Sequence, residues 1–268
     1  MTDSSTLLIE RRERVAILTL NRPDRLNALN AEILEAINRA SESIRNDDSV
    51  WAVIITGAGR GFSAGADLRG GPREASDKVP PRQERIDVYG WVGRLAMSLY
   101  RTMDKPTIAA VNGVAAGAGM SIALACDMRI GTEKTRFKTV FIERSLSPDS
   151  GMSFFLPRIV GYSRACDLVF TSRYVEAQEA YRIGLLDRLV PADKLIEEAV
   201  TLANQIASWP PVAMQSARRV LQQSLDSTLE DQLKHESFGL IMARRAPHDM
   251  MEQAASFVER RPPKFTGE

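Results

Sequence analysis

Cysteine and histidine are scarce in this chain of 268 residues, which has two of each. The cysteines, Cys126 and Cys166, lie in apolar surroundings and are not spaced as Cys-x-x-Cys, which argues against a disulfide framework and against a zinc site. A reducing cytoplasm is therefore the expected setting, and no metal is expected. The histidines, His235 and His248, lie in the C-terminal part of the chain, which gives little support for a Ser/His/Asp hydrolase.

An excess of charge of either sign is also absent. Lysine and arginine number 35 against 34 aspartates and glutamates, so the chain lacks the basic field that nonspecific nucleic-acid binding needs. No stretch approaches the roughly twenty apolar residues of a membrane-spanning helix, and the apolar run Leu7–Ile9 is too short for a signal peptide. Hydrophobic residues make up 44% of the chain, enough for a sizeable core. We expect a globular protein without nucleic-acid or membrane partners.

Apolar runs alternate with amphipathic helical patterns, which predicts an α/β fold. A helix is predicted after Asn30, a suitable N-cap, because apolar residues then recur at helical spacing as far as Ile44. A second helix is predicted to stop before Pro106. Buried strands are predicted at Val15–Leu20, Val53–Thr56, Thr107–Val111 and Met128–Ile130, and a further apolar helix at Met120–Cys126.

The pattern turns helical from about Ser163 and stays helical after Trp209. We therefore divide the chain into a core, residues 1–207, and a C-terminal helical region, residues 208–268. The apolar faces of that region either contact other subunits or pack on the region's own core. The residues alone leave both possibilities open.

Common glycine-rich motifs are absent or lack their context. The segment Gly57–Phe62 has phenylalanine at the last glycine position of a dinucleotide-binding motif and opens no apolar helix. The segment Gly61–Gly65 matches Gly-x-Ser-x-Gly, but the preceding strand is predicted to end several residues before Ser63 and no apolar helix follows. Ser63 is therefore not expected to be a nucleophile. The chain contains no Gly-Lys-Ser or Gly-Lys-Thr, which excludes a phosphate-binding P-loop.

Two segments rich in glycine and alanine each follow a predicted buried strand: Gly61–Leu68 and Gly113–Gly119. Small side chains let backbone N–H groups approach a ligand oxygen, and a helix N-terminus adds unpaired N–H groups with a favourable dipole. Two such groups that converge on one carbonyl oxygen form an oxyanion hole. Tight packing of helix against sheet would also use small residues here, and the residues alone favour neither interpretation.

These motifs, in this order, resemble the crotonase superfamily, also called the enoyl-CoA hydratase/isomerase family, over essentially the whole chain. The chain looks most like dienoyl-CoA isomerase and the ring-opening isomerase of phenylacetyl-CoA degradation. The matching segments are Asn21–Pro23, Leu26–Leu29, Gly61–Leu68, Lys105–Pro106, Ala110–Gly113, Gly117–Gly119, Arg158–Gly161, Ala177–Gly184 and Pro263–Gly267.

The resemblance implies a spiral of ββα units followed by a helical C-terminal region that builds homotrimers or homohexamers. It implies an acyl-CoA substrate, with coenzyme A as part of the substrate and no separate cofactor. It places an oxyanion hole on the backbone N–H groups of Ala66 and Ala118. The residues expected to contact the substrate are Arg25, Ala28, Ala64, Asp67, Leu68, Gly117 and Phe141.

Three further expectations concern the rim of the site. Arg25 is expected to meet a CoA phosphate, with an exposed and unpartnered side chain as the alternative. Lys264 is expected to reach the CoA phosphate of a neighbouring subunit. The variable loop from Arg69 to about Arg85 is expected to shape the acyl pocket together with Phe141, for which plain core packing is the alternative.

Two glutamates that handle water in hydratases of the family are replaced here by Ser121 and Phe141. Neither side chain exchanges a proton near neutral pH, since a hydroxyl is too weak an acid and a phenyl ring has no labile proton. The substitutions argue against ordinary enoyl-CoA hydration.

Asp149, in the segment Ser147–Gly151, stands in the Pro-Asp-x-Gly context of isomerases of the family. The resemblance implies an acyl-CoA isomerase in which Asp149 moves a proton between two carbons, shifting a double bond or opening an epoxide-bearing ring. Without the resemblance, Asp149 is more simply explained as the N-cap of a following helix. Glu143 is the reserve base, with an ion-paired or solvated side chain as its alternative.

Three other functions remain open at this point: hydration through another base, hydrolysis of the thioester, and noncatalytic binding of acyl-CoA.

Overall fold

The computed structural model of the protein describes residues 5–68, 82 and 86–268. The strands in these residues are Leu7–Arg12 (β1), Val15–Leu20 (β2), Ala52–Gly57 (β3), Gly61–Ser63 (β4), Thr107–Val111 (β5), Val114–Ala116 (β6), Met128–Thr132 (β7), Arg136–Lys138 (β8), Val175–Glu176 (β9) and Arg188–Val190 (β10). The helices are Ala31–Arg45 (α1), Gly90–Met97 (α2), Ala118–Ala125 (α3), Met152–Val160 (α4), Tyr162–Thr171 (α5), Ala177–Arg182 (α6), Leu195–Ile206 (α7), Pro211–Ser224 (α8), Leu229–Ala243 (α9) and Pro247–Glu259 (α10). Short 3-10 turns lie at Pro23–Arg25, Ile142–Arg144 and Ala192–Lys194, and a π-helical turn at Ser98–Thr102 extends α2.

The larger sheet has the strand order β1-β2-β3-β5-β7-β10. Its first pair is antiparallel and the other pairs are parallel. The central strand β3 is buried on both faces, because Val53 and Ile55 join one core cluster while Ala52 and Ile54 join a second, which α7 covers. Side chains of successive residues point to opposite faces of a sheet, so a strand covered on both sides is apolar throughout.

The smaller sheet has the order β4-β6-β8-β9 and is parallel from β4 to β8. Three of its four strands follow a strand of the larger sheet after a short connection: β4 follows β3, β6 follows β5 and β8 follows β7. Helices then follow, α3 after β6 and α4 after β8. The expected spiral of ββα units is confirmed, and it brings the ends of β4, β6 and β8 to one edge.

Several predicted elements are confirmed at the level of single residues. The Asn30 side chain accepts a hydrogen bond from the Ile33 N–H and begins α1, and β5 spans the residues predicted for it. The apolar helix α3 begins at Ala118 and not at Met120, directly after Gly117. The expectation of a helical pattern from about Ser163 is corrected by β9 and β10, which lie in that part of the chain.

The C-terminal region is helical, as expected, and consists of α8, α9 and α10. The tail that follows is held against the core, where Phe265 is buried with Trp51 and Ala207. The guanidinium of Arg14 lies 3.6 Å from the centre of the Trp51 ring and donates a hydrogen bond to the Phe265 carbonyl oxygen. Among the residues that the structure describes, no helix is both long and apolar enough to cross a membrane.

Candidate active site

The two glycine-rich segments emerge side by side because β4 and β6 are parallel neighbours. Gly61 pairs with Val114, and Ser63 pairs with Ala115. Beyond β4 the chain continues to Ala66, and beyond β6 it enters α3 at Ala118. Parallel strands end at the same edge of a sheet, so both segments leave the sheet at one place.

Glycine allows the two segments to touch. A Cβ atom on Gly65 would lie 2.6 Å from the Ala116 carbonyl oxygen and 3.4 Å from the Ala118 nitrogen, and the φ of Gly65, 85°, favours glycine in any case. A Cβ atom on Gly119 would overlap the Ser63 carbonyl oxygen and lie 2.7 Å from Ser63 Cβ. Tight packing is therefore real here, and it brings the backbone of Gly65 against that of Ala116 and Ala118.

The N–H groups of Ala66 and Ala118 are left without partners. Leu29 brackets Ala66, since its N–H donates to the Gly65 carbonyl oxygen and its own carbonyl oxygen accepts from the Asp67 N–H. Ala118 is the first residue of α3, where the helix itself offers no acceptor. Within residues 5–68, 82 and 86–268, neither N–H meets a hydrogen-bond acceptor. Two free donors on touching segments are the arrangement that an oxyanion hole needs.

A buried asparagine holds the first segment in place. Asn27 donates hydrogen bonds to the carbonyl oxygens of Ala58 and Gly61 at 2.9 and 2.8 Å and accepts one from the Arg22 N–H. Arg22 in turn pairs with Asp67 at 2.8 Å. Sequence analysis missed this network, whose only signal is the pair of motifs Asn21–Pro23 and Leu26–Leu29.

Ser63 is confirmed not to be arranged as a nucleophile. It is fully buried, and its hydroxyl donates to the Asn27 carbonyl oxygen at 2.8 Å. His235 lies in α9 and His248 in α10, outside the core that holds Ser63.

The turn that carries Asp149 contacts α3, the helix that begins with the second free donor. Asp149 is in the turn before α4, and its carbonyl oxygen is 3.4 Å from the Ser121 hydroxyl on α3. The same hydroxyl is 3.4 Å from the carbonyl oxygen of Gly117, the neighbour of Ala118. Ser121 is buried and so occupies the junction between the donor helix and the turn that carries Asp149.

The Asp149 carboxylate is half-buried and lacks a cation. Its side-chain hydrogen bond comes from the Ser150 hydroxyl, 2.9 Å from Oδ1, and no ion pair joins it to any described residue. Burial raises the pKa of Asp149, and the Ser150 hydrogen bond opposes that rise. The interpretation of Asp149 as a helix cap is wrong, because the residue before α4 is Gly151, with a φ of 83°, and no side chain caps the helix.

Glu143 has the opposite environment. It is exposed, and its carboxylate pairs with Lys138 at 2.6 Å. The hydrogen bond from Lys138 lowers the pKa of Glu143, which makes it a weaker base than a carboxylate without a cation. The ion-paired interpretation of Glu143 is confirmed, with Lys138 and not Arg144 as the partner. Phe141 is buried in the main core, 4% exposed.

The residues expected to contact substrate fall into two groups. Ala28 is buried and Ala64 half-buried on the paired segments beside Ala66, where the Ala64 N–H donates to the Leu26 carbonyl oxygen. Leu68 is exposed at 54%. Gly117 is buried with a φ of 51° beside Ala118. The structure does not test substrate contact for any of them.

Three of the residues expected to contact the substrate are charged: Arg25, Asp67 and Lys264. Arg25 ends a 3-10 turn with an exposed side chain that meets no partner in the described part of the chain. Asp67 is tied to Arg22, so its carboxylate has a structural partner. Lys264 is exposed on the C-terminal tail, where its backbone N–H donates to Glu252.

A cavity of about 890 Å³ opens beside Ala66, between α1 and α2. The loop expected to shape an acyl pocket, residues 69–85, lies outside the described residues apart from Arg82. Among the described residues, Phe141 does not line this cavity. The described lining combines apolar and polar side chains: Leu29, Asn30, Ala31, Leu34, Glu35, Asn38, Ala66, Asp67, Asp87, Gly90, Trp91, Arg94 and Leu95.

Comparison with known proteins decides the family. The sequence model of the family described as Enoyl-CoA hydratase/isomerase matches residues 10–268. The chain belongs to the enoyl-CoA hydratase/isomerase family. The crotonase resemblance is thereby confirmed, and the roles expected of the site residues stay predictions.

Relatives and solved structures of the enoyl-CoA hydratase/isomerase family cover nearly the whole chain. The probable enoyl-CoA hydratase echA8 of Mycobacterium tuberculosis is 36% identical over 261 residues, 97% of this chain and 98% of its own. The short-chain-enoyl-CoA hydratase of Clostridium acetobutylicum is 34% identical over 260 residues, 96% of both chains. A probable enoyl-CoA hydratase/isomerase from Mycobacterium abscessus has a TM-score of 0.86 at 34% identity, covering 98% of this chain and 100% of that one. An enoyl-CoA hydratase from Bacillus anthracis has a TM-score of 0.86 at 31% identity with the same coverage.

Proposed function

We propose that this family member is an acyl-CoA isomerase that shifts a double bond, or opens an epoxide-bearing ring, by proton transfer. One observation carries the proposal: a half-buried carboxylate, Asp149, which has no cation among the described residues, lies in a turn that contacts α3, the helix that begins with the free N–H of Ala118. The proposal includes the subtype: within the family, the protein would resemble dienoyl-CoA isomerase and the ring-opening isomerase of phenylacetyl-CoA degradation.

The reaction begins with the thioester oxygen of the substrate between the N–H groups of Ala66 and Ala118. The Asp149 carboxylate removes a proton from a carbon made acidic by the thioester, and the electron pair moves to the thioester oxygen. The enolate oxygen accepts hydrogen bonds from both N–H groups, each worth about 3 kcal/mol in comparable oxyanion holes. The Asp149 carboxylic acid then returns the proton at another carbon, which moves the double bond.

The surroundings of Ala118 support the role of its N–H group. All eight residues of α3 are buried and none is charged. The N-terminal end of a helix carries a partial positive charge, and hydrogen bonds and dipoles act more strongly on a developing charge where water is excluded. The raised pKa of Asp149 supports a base that also serves as the acid, because a proton taken up from carbon is held more readily.

The test uses paired 2-enoyl-CoA and 3-enoyl-CoA substrates in deuterated water, with products separated by chromatography and weighed by mass spectrometry. We expect interconversion without addition of water, and a decrease of about 100- to 10,000-fold in kcat for Asp149→Asn. Glu143→Gln is the matched control and should retain activity, since Glu143 is exposed and paired with Lys138. Interconversion that survives Asp149→Asn would sink the assignment of the base.

Hydration is the second candidate function, because relatives at 36% and 34% identity are named as enoyl-CoA hydratases. Against it stand the residues Ser121 and Phe141, neither of which activates water. Addition of water to 2-enoyl-CoA that persists in Asp149→Asn supports hydration through another group. Binding of acyl-CoA without turnover of either substrate, unchanged in Asp149→Asn, supports a noncatalytic binding protein.

We further propose that the C-terminal helices hold the protein in a homotrimer or homohexamer. Large apolar side chains are exposed on them to an extent unusual for a monomer surface. Light scattering should give three or six times the mass of one chain, and a monomer in dilute solution contradicts the assembly. Examples of the exposed side chains are Leu221 at 69%, Leu229 at 77%, Phe238 at 61%, Phe257 at 79% and Val258 at 79%.

A further inference from the structure

The Ser150 hydroxyl provides the hydrogen bond to the Asp149 carboxylate. It donates to Oδ1 at 2.9 Å, and no other described side chain or N–H group contacts either carboxylate oxygen. The same carboxylate has no cation to fix its direction. The orientation of the proposed base therefore depends on one neighbouring serine.

The turn fixes the direction of that hydroxyl. Ser150 is buried, 3% exposed, and adopts a left-handed φ of 52°, which few residues other than glycine do readily. Gly151 follows with a φ of 83°. On the other side, the Ser121 hydroxyl lies within 3.4 Å of the Asp149 carbonyl oxygen. Because Ser150 is buried and both Ser150 and Gly151 are left-handed, the Ser150 side chain has little freedom to turn away from Asp149.

Charged groups on the surrounding elements are engaged elsewhere. The helix α3 carries none, and among the described residues burial and the Ser150 hydroxyl are the causes that act on the pKa of Asp149. The neutral titratable groups of the surrounding elements are Tyr100 on the π-helical turn and Tyr162 and Cys166 on α5. On α2, Arg94 pairs with Asp87, and on α4, Arg158 pairs with Asp226. On α5, Arg164 donates to the Val160 carbonyl oxygen and Asp167 pairs with Arg173. In the 3-10 turn before Asp149, Glu143 pairs with Lys138, and Arg144 is exposed.

We propose that Ser150 is the positioning residue of the Asp149 carboxylate: its hydroxyl holds one oxygen and leaves the other free to exchange a proton with the substrate. The inference rests on the proposed proton transfer by Asp149. A donated hydrogen bond stabilises the ionised carboxylate, whereas burial favours the protonated one. Ser150 thereby sets the pH above which the buried base is ionised and ready to act.

The test compares Ser150→Ala, Ser150→Gly and the control Ser153→Ala. Both Ser150 variants remove the hydroxyl, but only glycine also relieves the left-handed backbone, so an effect shared by the two belongs to the hydroxyl. Ser153 is an exposed serine in the first turn of α4. The first readout is the infrared titration of the Asp149 carboxyl group, obtained as the difference from Asp149→Asn. The second readout is the pH profile of kcat/KM.

Loss of the hydroxyl should raise the pKa of Asp149 in both Ser150 variants and leave it unchanged in Ser153→Ala. Activity requires the ionised base, so the acidic limb of the profile should move to higher pH, with kcat/KM on that limb lowered about three- to tenfold. An unchanged titration, with only a lower melting temperature, overturns the inference and makes Ser150 structural. A raised pKa in a protein that interconverts no enoyl-CoA pair supports the positioning role while refuting the proposed reaction.

Discussion

In the proposed site, the glycine-rich segments and the turn that carries Asp149 act by different means. Ala66 and Ala118 offer backbone N–H groups, which are held by strand pairing and by contacts that leave no room for a Cβ atom. The Asp149 turn offers a side chain, held by one hydroxyl and one carbonyl contact. Backbone N–H donors depend on packing and are hard to alter by substitution, whereas a side chain can be exchanged without disturbing the fold. In the proposed reaction, the fold itself thus supplies enolate stabilisation, and the turn that carries Asp149 selects the reaction.

Gly119→Ala should have the largest effect on stability. The added Cβ overlaps the Ser63 carbonyl oxygen, and backbone on both sides must shift, so we expect a loss of about 3 kcal/mol in the free energy of unfolding. Urea unfolding measures it. Gly161→Ala is the control, because Gly161 has a φ of 84° but nothing within 4 Å of an added Cβ, and it should cost about 1 kcal/mol. Equal losses would show that the contact between the segments is not tight.

Asn27→Ala should come next, with a loss of about 2 kcal/mol. The change removes the hydrogen bonds that the Asn27 side chain makes with the Arg22 N–H and with the carbonyl oxygens of Ala58 and Gly61, although the Gly61 oxygen still accepts one from the Asn112 side chain at 3.3 Å. It also places alanine at a φ of 55°, which asparagine tolerates better. Asn46→Ala on the exposed end of α1 is the matched control and should change the free energy of unfolding by less than about 0.5 kcal/mol. Asn27→Ala as mild as Asn46→Ala would contradict the anchoring role.

Asp149→Asn should change the free energy of unfolding by less than Asn27→Ala does, and at neutral pH it should raise it. Burial raises the pKa of Asp149 above its ordinary value of 3.8, so the folded protein binds this proton more tightly than the unfolded chain does. Its contribution to stability is full below pH 3.8 and is lost as pH rises through the folded pKa. The variant should therefore gain stability relative to the original chain between pH 4 and neutrality. Thermal melts of the variant and the original chain across that range test this prediction. A difference in melting temperature that does not change with pH would contradict it.

Arg25→Ala should change stability least, by less than about 0.5 kcal/mol, because the exposed side chain has no partner among the described residues. If Arg25 meets a CoA phosphate, KM for acyl-CoA should rise about two- to fivefold. The same acyl group on pantetheine, which lacks the nucleotide phosphates, should show no such rise. An equal rise in KM for both thioesters would place the effect of Arg25 elsewhere.

The architecture was predictable from sequence wherever an element carries its own signal. β5 is a run of five buried residues, and Asn30 precedes an apolar helical pattern, so both were located from the residues alone. The strands of the smaller sheet have two or three residues each and show no periodicity. They form because they pair with one another across long stretches of chain, and local sequence does not reveal such pairing.

The candidate site was predictable in part for a related reason. Asp149 was identified from a resemblance, whereas local sequence rules favoured the wrong role, that of a helix cap. Capping depends on backbone angles, and Ser150 and Gly151 adopt left-handed angles between Asp149 and the helix. Neither the Ser150 hydrogen bond nor the Arg22–Asp67 pair has a signature in the order of residues. The roles of Ala66, Ala118 and Asp149 stay predictions until substrate is bound.

The pairing of β4 with β6 also bears on how such proteins diversify. Gly61 and Val114 are neighbours in the sheet although they are far apart in the chain, and the proposed oxyanion hole takes a donor, Ala66, from the very start of the segment between them. The entropic cost of closing a longer loop grows only slowly with its length. Insertions and deletions between Ala66 and α2 are therefore a low-risk route to new substrate preferences, since this part of the chain can change in length while Ala66 and Ala118 keep their places in the proposed hole.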